Sequence, residues 1–64
     1  MLSDLDIYRA ANLLIRQHGA DAELLAARRA DGLLVRGDPD GQLVWKQIKQ
    51  AIEALQAAQS GPVH

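Results

Sequence analysis

The chain has 64 residues, with eight acidic and seven basic side chains, a formal net charge of −1 and no cysteine. This length allows one domain with a small core, because such a chain buries only about 60% of the surface that it exposes when unfolded. Without cysteine there are no disulfides or thiolate metal ligands, and the near-neutral charge argues against a protein that mainly grips phosphate backbone.

The first predicted helix spans 4–18. Ser3 is a suitable N-cap, and Asp6 three residues later makes an imperfect capping box, in which Glu or Gln is the usual partner. Gly19 follows as a C′ residue. One face of this helix carries Ile7, Ala10, Ala11, Leu14 and His18. Leu13 and Ile15 widen the apolar surface beyond that stripe.

The second predicted helix spans 22–36, with Asp21 as its N-cap and Gly37 as its end. Its main stripe is Ala22, Ala26, Ala30, Leu33 and Leu34, and Leu24, Leu25 and Ala27 add apolar surface on either side. Gly32 lies inside this helix, where glycine costs up to about 1 kcal/mol relative to alanine. The close approach of another backbone is one explanation for it, and chance is another.

The third predicted helix spans 39–58. Asp38 is an N-cap, and Pro39 stands at the first helical position, where its missing N–H costs nothing. Its apolar stripe is Val44, Ile48, Ala51, Ile52 and Leu55. The pattern predicts an all-α fold, a compact three-helix domain over 1–59, with a frayed tail over 60–64.

The stretch VRGDPDGQLVWK contains an RGD tripeptide and a D-x-D-G that looks like half of a calcium loop. In the calcium alignment the first and last ligand positions would be Arg36 and Gln47, where carboxylates are needed. Capping explains Asp38 better than either metal binding or adhesion. His18 and His64 do not have the spacing of a zinc site, so we expect neither a metal nor a cofactor.

Two further features have a functional and a structural interpretation. Trp45 fits the core or an interface better than ligand stacking, because large aromatic side chains dominate the packing of small domains. Arg28, Arg29 and Arg36 could meet an acidic partner or a phosphate, although a solvated helix face is the commoner meaning. Nucleophile motifs and glycine-rich phosphate loops are absent, so the sequence does not indicate an enzyme.

Several short motifs occur in a fixed order along the chain. They read Tyr8, His18-Gly19 with Ala22, Ala26 with Arg29 and Leu33, Gly37-Asp38 with Gly41 and Trp45, and Ile48, Ala51, Ile52 and Leu55. The ordered set resembles a group of short, mainly proteobacterial proteins classed as a domain of unknown function. The resemblance implies a small helical cytoplasmic protein and brings no ligand or activity.

The sequence favours a protein-interaction module that self-associates as a homodimer or docks on another protein. The reason is an excess of apolar surface over what three short helices can bury, and such surface often marks an interface. The interface candidates are Leu13, Ile15, Leu24, Leu25 and Trp45. The alternative is a nucleic-acid-binding regulator of helix-turn-helix type, which the weakly basic third helix disfavours. No apolar run approaches the ~20 residues of a membrane span, so a cytoplasmic location is expected.

Overall fold

The computed structural model describes residues 3–60, with side chains described as far as residue 58. The α-helical segments are α1 (Asp4–His18), α2 (Ala22–Val35) and α3 (Pro39–Ser60), and a 3-10 turn, Gly19–Asp21, joins the first two. The all-α prediction is confirmed over the described residues. The three predicted helices are not three separate rods, however, because helical backbone runs unbroken over 4–35 and again over 39–60.

The start of α1 is held by a complete capping box. Ser3 has an extended backbone, its Oγ accepts from the Asp6 backbone N–H at 3.2 Å, and its own N–H donates to the Asp6 carboxylate at 3.4 Å. Aspartate therefore closes the box here although its side chain is one methylene shorter than glutamate. At the other end, the N–H of Gly19 donates to the Ile15 carbonyl, and the φ of +57° at Gly19 is one that glycine adopts without strain.

Asp21 occupies the N-cap position of α2 as predicted, but its side chain does not cap the helix. Its backbone is already helical, with φ −86° and ψ −5°, and its carboxylate makes no capping hydrogen bond. A capping side chain needs an extended backbone to reach back to the amides of the first turn. The 3-10 turn takes over part of that role, because the Ala22 N–H donates to the Gly19 carbonyl.

A link of three residues, Arg36 to Asp38, joins α2 to α3. Gly37 has φ +78°, and the N–H groups of Gly37 and Asp38 donate to the carbonyls of Leu34 and Leu33 at 3.0 and 2.9 Å. This pair of bonds is the Schellman arrangement that ends a helix. Helix α2 therefore stops at Val35, one residue before the predicted end.

Asp38 also begins the next helix, because its Oδ1 accepts from the Gly41 N–H at 2.9 Å. One residue thus closes α2 through its backbone and caps α3 through its side chain. Helix α3 continues to Ser60, two residues beyond the predicted end. The rest of the predicted tail, and Met1 and Leu2, lie outside the described residues.

Helix α3 packs against both α1 and α2, which contact each other much less. Helices α2 and α3 run antiparallel, since Gln56 Nε2 near the end of α3 donates to the carbonyl of Gly19, before the start of α2, at 2.9 Å. Closer to the middle of α3, Lys49 Nζ lies 3.9 Å from a carboxylate oxygen of Glu23 in the first turn of α2. The described helices extend over 45 × 22 × 20 Å.

The core at this junction is small and rich in alanine. Its buried members are Ile7, Ala11, Leu14, Ala22, Ala26, Ile48, Ala51 and Ile52. Ile52 is the largest side chain among them with no solvent exposure. Two residues of the predicted stripes are exposed, namely Leu34 and His18. Leu34 lies away from the buried line of Ala22, Ala26 and Ala30, because successive residues of a helix are turned by about 100°.

Candidate functional site

A groove lies between the last half of α2 and the first half of α3. Its lining residues are Arg29, Gly32, Leu33, Arg36 and Trp45, and its volume is about 310 Å³. We call this cavity the arginine groove. It is open to solvent, and its walls combine two guanidinium groups with an aromatic ring and a leucine. No acidic side chain is part of the lining.

At the centre of the arginine groove, Arg29 is held against the ring of Trp45. The Cζ atom of Arg29 lies 5.0 Å from the centroid of the Trp45 ring, within the range of a cation–π contact. Such a contact contributes about 0.5–1 kcal/mol at an exposed site. Trp45 is partly buried against the core, so the ring is held from beneath and in turn helps to place the guanidinium.

Gly32 lines the groove without contributing a side chain to its wall. A Cβ built at this position would meet no atom within 4 Å. No backbone within the described residues approaches Gly32, so the close-approach explanation does not apply inside one chain. A neighbour from outside could still come close to the helix here, because no side chain stands in its way.

The charges of the groove are not neutralised by nearby carboxylates. Among residues 3–58, the ion pairs within 4.0 Å all belong to Lys49, which meets Glu23 and Glu53. The hydrogen bond to Glu53 raises the pKa of Lys49, against a smaller opposing effect of desolvation. Because the pKa of Lys49 is raised in the folded state, its ion pair stabilises the fold fully at pH values below 10.5, the ordinary pKa of lysine. This stabilisation is lost only as the pH rises above 10.5, so it does not vary near neutral pH. Arg29 and Arg36 have no such partner among the side chains that the structure describes.

The structure divides the predicted interface residues into two groups. Leu13 and Leu24 are 54% and 53% exposed and available to a partner. Ile15, Leu25 and Trp45 pack against the core and are only partly exposed. Hydrophobicity alone could not separate these groups, because the difference depends on which side of each helix faces α3.

Sequence reasoning named the arginines and Gly32 but did not join them into one site. Their spacing in the sequence already indicated a shared helix face, because Arg29, Gly32 and Arg36 stand at i, i+3 and i+7 on α2. What the spacing could not show is that Trp45 of α3 faces this line. The groove exists only because α3 folds back antiparallel to α2.

Grouped metal ligands are absent from the part of the chain that the structure describes. Between residues 3 and 60, no group of three or more His, Asp or Glu side chains is placed to hold a metal ion. Asp38, one of the two aspartates of the calcium interpretation, accepts a hydrogen bond from the Gly41 backbone amide. The RGD tripeptide spans the end of one helix and the cap of the next.

The cap at Asp38 predicts a non-additive response to two substitutions. A Cβ added at Gly41 would stand 2.7 Å from Asp38 Oδ2, so alanine there must displace the capping carboxylate. We expect Asp38→Ala to lower the free energy of unfolding by about 0.5–2 kcal/mol. Gly41→Ala should give none of the usual helix gain of up to about 1 kcal/mol in the wild type, but should give it in the Asp38→Ala background.

Urea unfolding of the two single variants and the double variant measures this coupling. Asp40→Ala is the matched control, because Asp40 stands in the same helical turn and makes no such hydrogen bond. Added calcium should leave the melting temperature unchanged. Additive effects of the two substitutions, or a calcium-dependent rise of several degrees, would refute the capping role.

Comparison with known proteins yields no relative: no family model, no curated protein and no solved structure matches this chain. The resemblance to the short proteobacterial proteins therefore stays a prediction. Among the described residues, none of the helices has both the length and the apolar character that crossing a membrane requires.

Proposed function

We propose that this protein is a cytoplasmic protein-interaction module that self-associates as a two-fold dimer. The observation that carries the proposal is the mismatch between what the chain buries and what it exposes. Among residues 3–58, the exposed large apolar side chains are Leu5, Tyr8, Leu13, Leu24, Leu34, Val35 and Leu43. Against these seven, four large apolar side chains in the same range are buried: Ile7, Leu14, Ile48 and Ile52.

The energetics of a small core support association. A single core of this size rarely contributes more than about 3–5 kcal/mol of stability, and small domains usually add disulfides, metals or oligomerisation. The sequence has no cysteine, which excludes disulfides. Oligomerisation would cover part of the exposed apolar surface, and two-fold dimers are the commonest closed assemblies.

The arrangement of the helices supports a three-helix unit with outward-facing contact surfaces. Helices α1 and α2 both pack on α3 and contact each other much less, so each keeps one side free. Leu24 and Val35 lie on the free side of α2, at 53% and 88% exposure. Leucine and valine at such exposure gain about 25 cal/mol for each square ångström that a partner covers.

Self-association predicts that stability depends on protein concentration. A folded dimer in equilibrium with unfolded monomers becomes more stable as protein is added, so the melting temperature should rise across a concentration series. Sedimentation equilibrium at micromolar concentration should give about twice the 7.0 kDa mass of one chain. A 7.0 kDa particle with a melting temperature that is indifferent to concentration would refute the proposal.

The helix-turn-helix alternative has one supporting observation, the unneutralised pair Arg29 and Arg36. Against it, Lys49 of α3 is paired with two carboxylates, and Lys46 is the other basic residue of that helix. A recognition helix needs several groups free to reach base edges and phosphates. We expect only weak, salt-sensitive association with DNA, and sub-micromolar binding to a defined duplex at physiological salt would favour the alternative instead.

A further inference from the structure

We propose that the arginine groove receives the first turn of α1 from a second copy of this chain. In this interface Leu5 points into the apolar part of the groove, and Asp4 and Asp6, which lie about 100° to either side of Leu5 on the helix, reach the two guanidinium groups along its edges. The inference rests on the proposed self-association and identifies the surfaces that make it. In a two-fold dimer each copy supplies one groove and one first turn, so the contact is formed twice.

Charge complementarity is the first reason for choosing this occupant. The groove has two guanidinium groups, and within residues 3–58 it has no acidic lining residue and no intramolecular ion pair. The first turn of α1 has the opposite composition, with two carboxylates and no basic side chain among its described residues. Arginine is well suited to such contacts, because its planar fork pairs with a carboxylate through two hydrogen bonds.

The apolar parts of the two surfaces also match. Leu5 is 58% exposed, although it stands next to residues that the fold uses for capping. The groove offers Leu33 and the Trp45 ring, both of them partly exposed. Its volume of about 310 Å³ is at the lower limit for a drug-sized ligand and suits one or two side chains better. The bare surface at Gly32 allows the incoming backbone to approach α2 closely.

The capping box does not prevent this contact. Asp6 accepts hydrogen bonds from the N–H and the hydroxyl of Ser3 through one of its oxygens, Oδ2. A carboxylate has about four acceptor sites, so Oδ1 stays available to an arginine. Asp4 is exposed and takes no part in the box.

A chain cannot place its own first turn in its own groove. Asp4 and Tyr8 border a depression on α3 together with Gln47 and Gln50, whereas the groove is on the side of Trp45. Successive helical residues are turned by about 100°, so Trp45 and Gln47 point in nearly opposite directions from α3. The complementary surfaces therefore lie on opposite sides of one molecule, and a second copy is needed to bring them together.

Charge reversal with matched controls tests the inference. Arg29→Glu and Asp4→Lys reverse one charge on each proposed surface. Arg28→Glu and Asp40→Lys make the same changes one residue outside the groove and in the first turn of α3. The dissociation constant is measured by sedimentation of the full chain, and circular dichroism establishes that each variant is helical. Trp45 is the sole tryptophan, so its emission against protein concentration reports directly on the groove.

We expect Arg29→Glu and Asp4→Lys each to weaken self-association by about tenfold or more, and the two controls to change it little. Tryptophan emission should shift with concentration in the wild type and in the controls. An equimolar mixture of Arg29→Glu and Asp4→Lys should associate more tightly than either variant alone, because one of the two contacts in the mixed dimer then pairs reversed charges. Arg36→Glu provides a second groove variant that leaves the contact between Arg29 and Trp45 in place.

The possible failures are distinguishable. If the wild type associates and the groove and first-turn variants associate as tightly as their controls, the interface is elsewhere and only this inference is wrong. If the wild type is a monomer at all concentrations, the inference and the proposed function are both wrong. If the reversed variants weaken association but their mixture does not restore it, Asp4 and Arg29 do not meet and the pairing is refuted.

Discussion

Replacing Ile52 with alanine is expected to remove most of the free energy of unfolding. Ile52 has no solvent exposure and lies where α3 meets both other helices. Removing a buried isoleucine down to its Cβ costs about 2–5 kcal/mol, which combines lost burial with the cavity left behind. A core of this size contributes about 3–5 kcal/mol, so one substitution approaches the whole. Four of the seven other buried residues of the core are alanine, and their side chains are too short to fill the space.

Urea unfolding followed by circular dichroism, at one fixed protein concentration, measures the effect of Ile52→Ala. Leu43→Ala is the control, because Leu43 is on the same helix and 56% exposed, and its loss should change stability by less than about 0.5 kcal/mol. Equal losses for the two variants would show that the core is not centred on Ile52.

Replacing Ala26 with leucine is expected to destabilise the protein by about 1–3 kcal/mol or more, although leucine is a strong helix former. Ala26 has no solvent exposure and belongs to the line of small residues along which α2 approaches α3. Three additional carbon atoms in this contact would push the helices apart or force strained side-chain conformations. The Arg29–Trp45 contact lies one turn away and should loosen with them.

Thermal unfolding and tryptophan emission together measure the effect at Ala26. Ala54→Leu makes the same change at an exposed position of α3 and should leave both signals close to those of the wild type. A wild-type melting temperature for Ala26→Leu would mean that α2 and α3 have room between them, contrary to the packing described above.

Much of the fold follows from short stretches of sequence. Ser3 with Asp6, and Asp38 with Pro39, are start signals whose hydrogen bonds involve residues no more than three positions apart. Gly19 and Gly37 supply the positive φ values at which α1 and α2 end. These interactions are local, so they could be predicted before any packing was known. The apolar periodicity likewise identified the buried line of α3, Ile48 to Ile52.

The backbone conformation at Asp21 could not be predicted from the local sequence alone. Its residue type suits a cap, but the chain continues through a 3-10 turn with the Asp21 backbone already helical. The bend at that turn is also held by Gln56, which donates a hydrogen bond to Gly19 from 37 positions along the chain. A contact over that separation depends on how α3 lies against α2, and spacing along one helix does not contain that information.

Periodicity, composition and capping residues in the sequence established an all-α chain with a small core, its helix ends to within two residues, and the excess of apolar residues over core space. Only the tertiary structure decided which apolar side chains remain outside. It left Leu13 and Leu24 exposed but turned Ile15 and Leu25 toward the core. It also brought Trp45 to the arginines of α2 and created the groove. The reason is physical: a helical stripe records which residues share a face, whereas burial and charge pairing depend on the partner that the face meets.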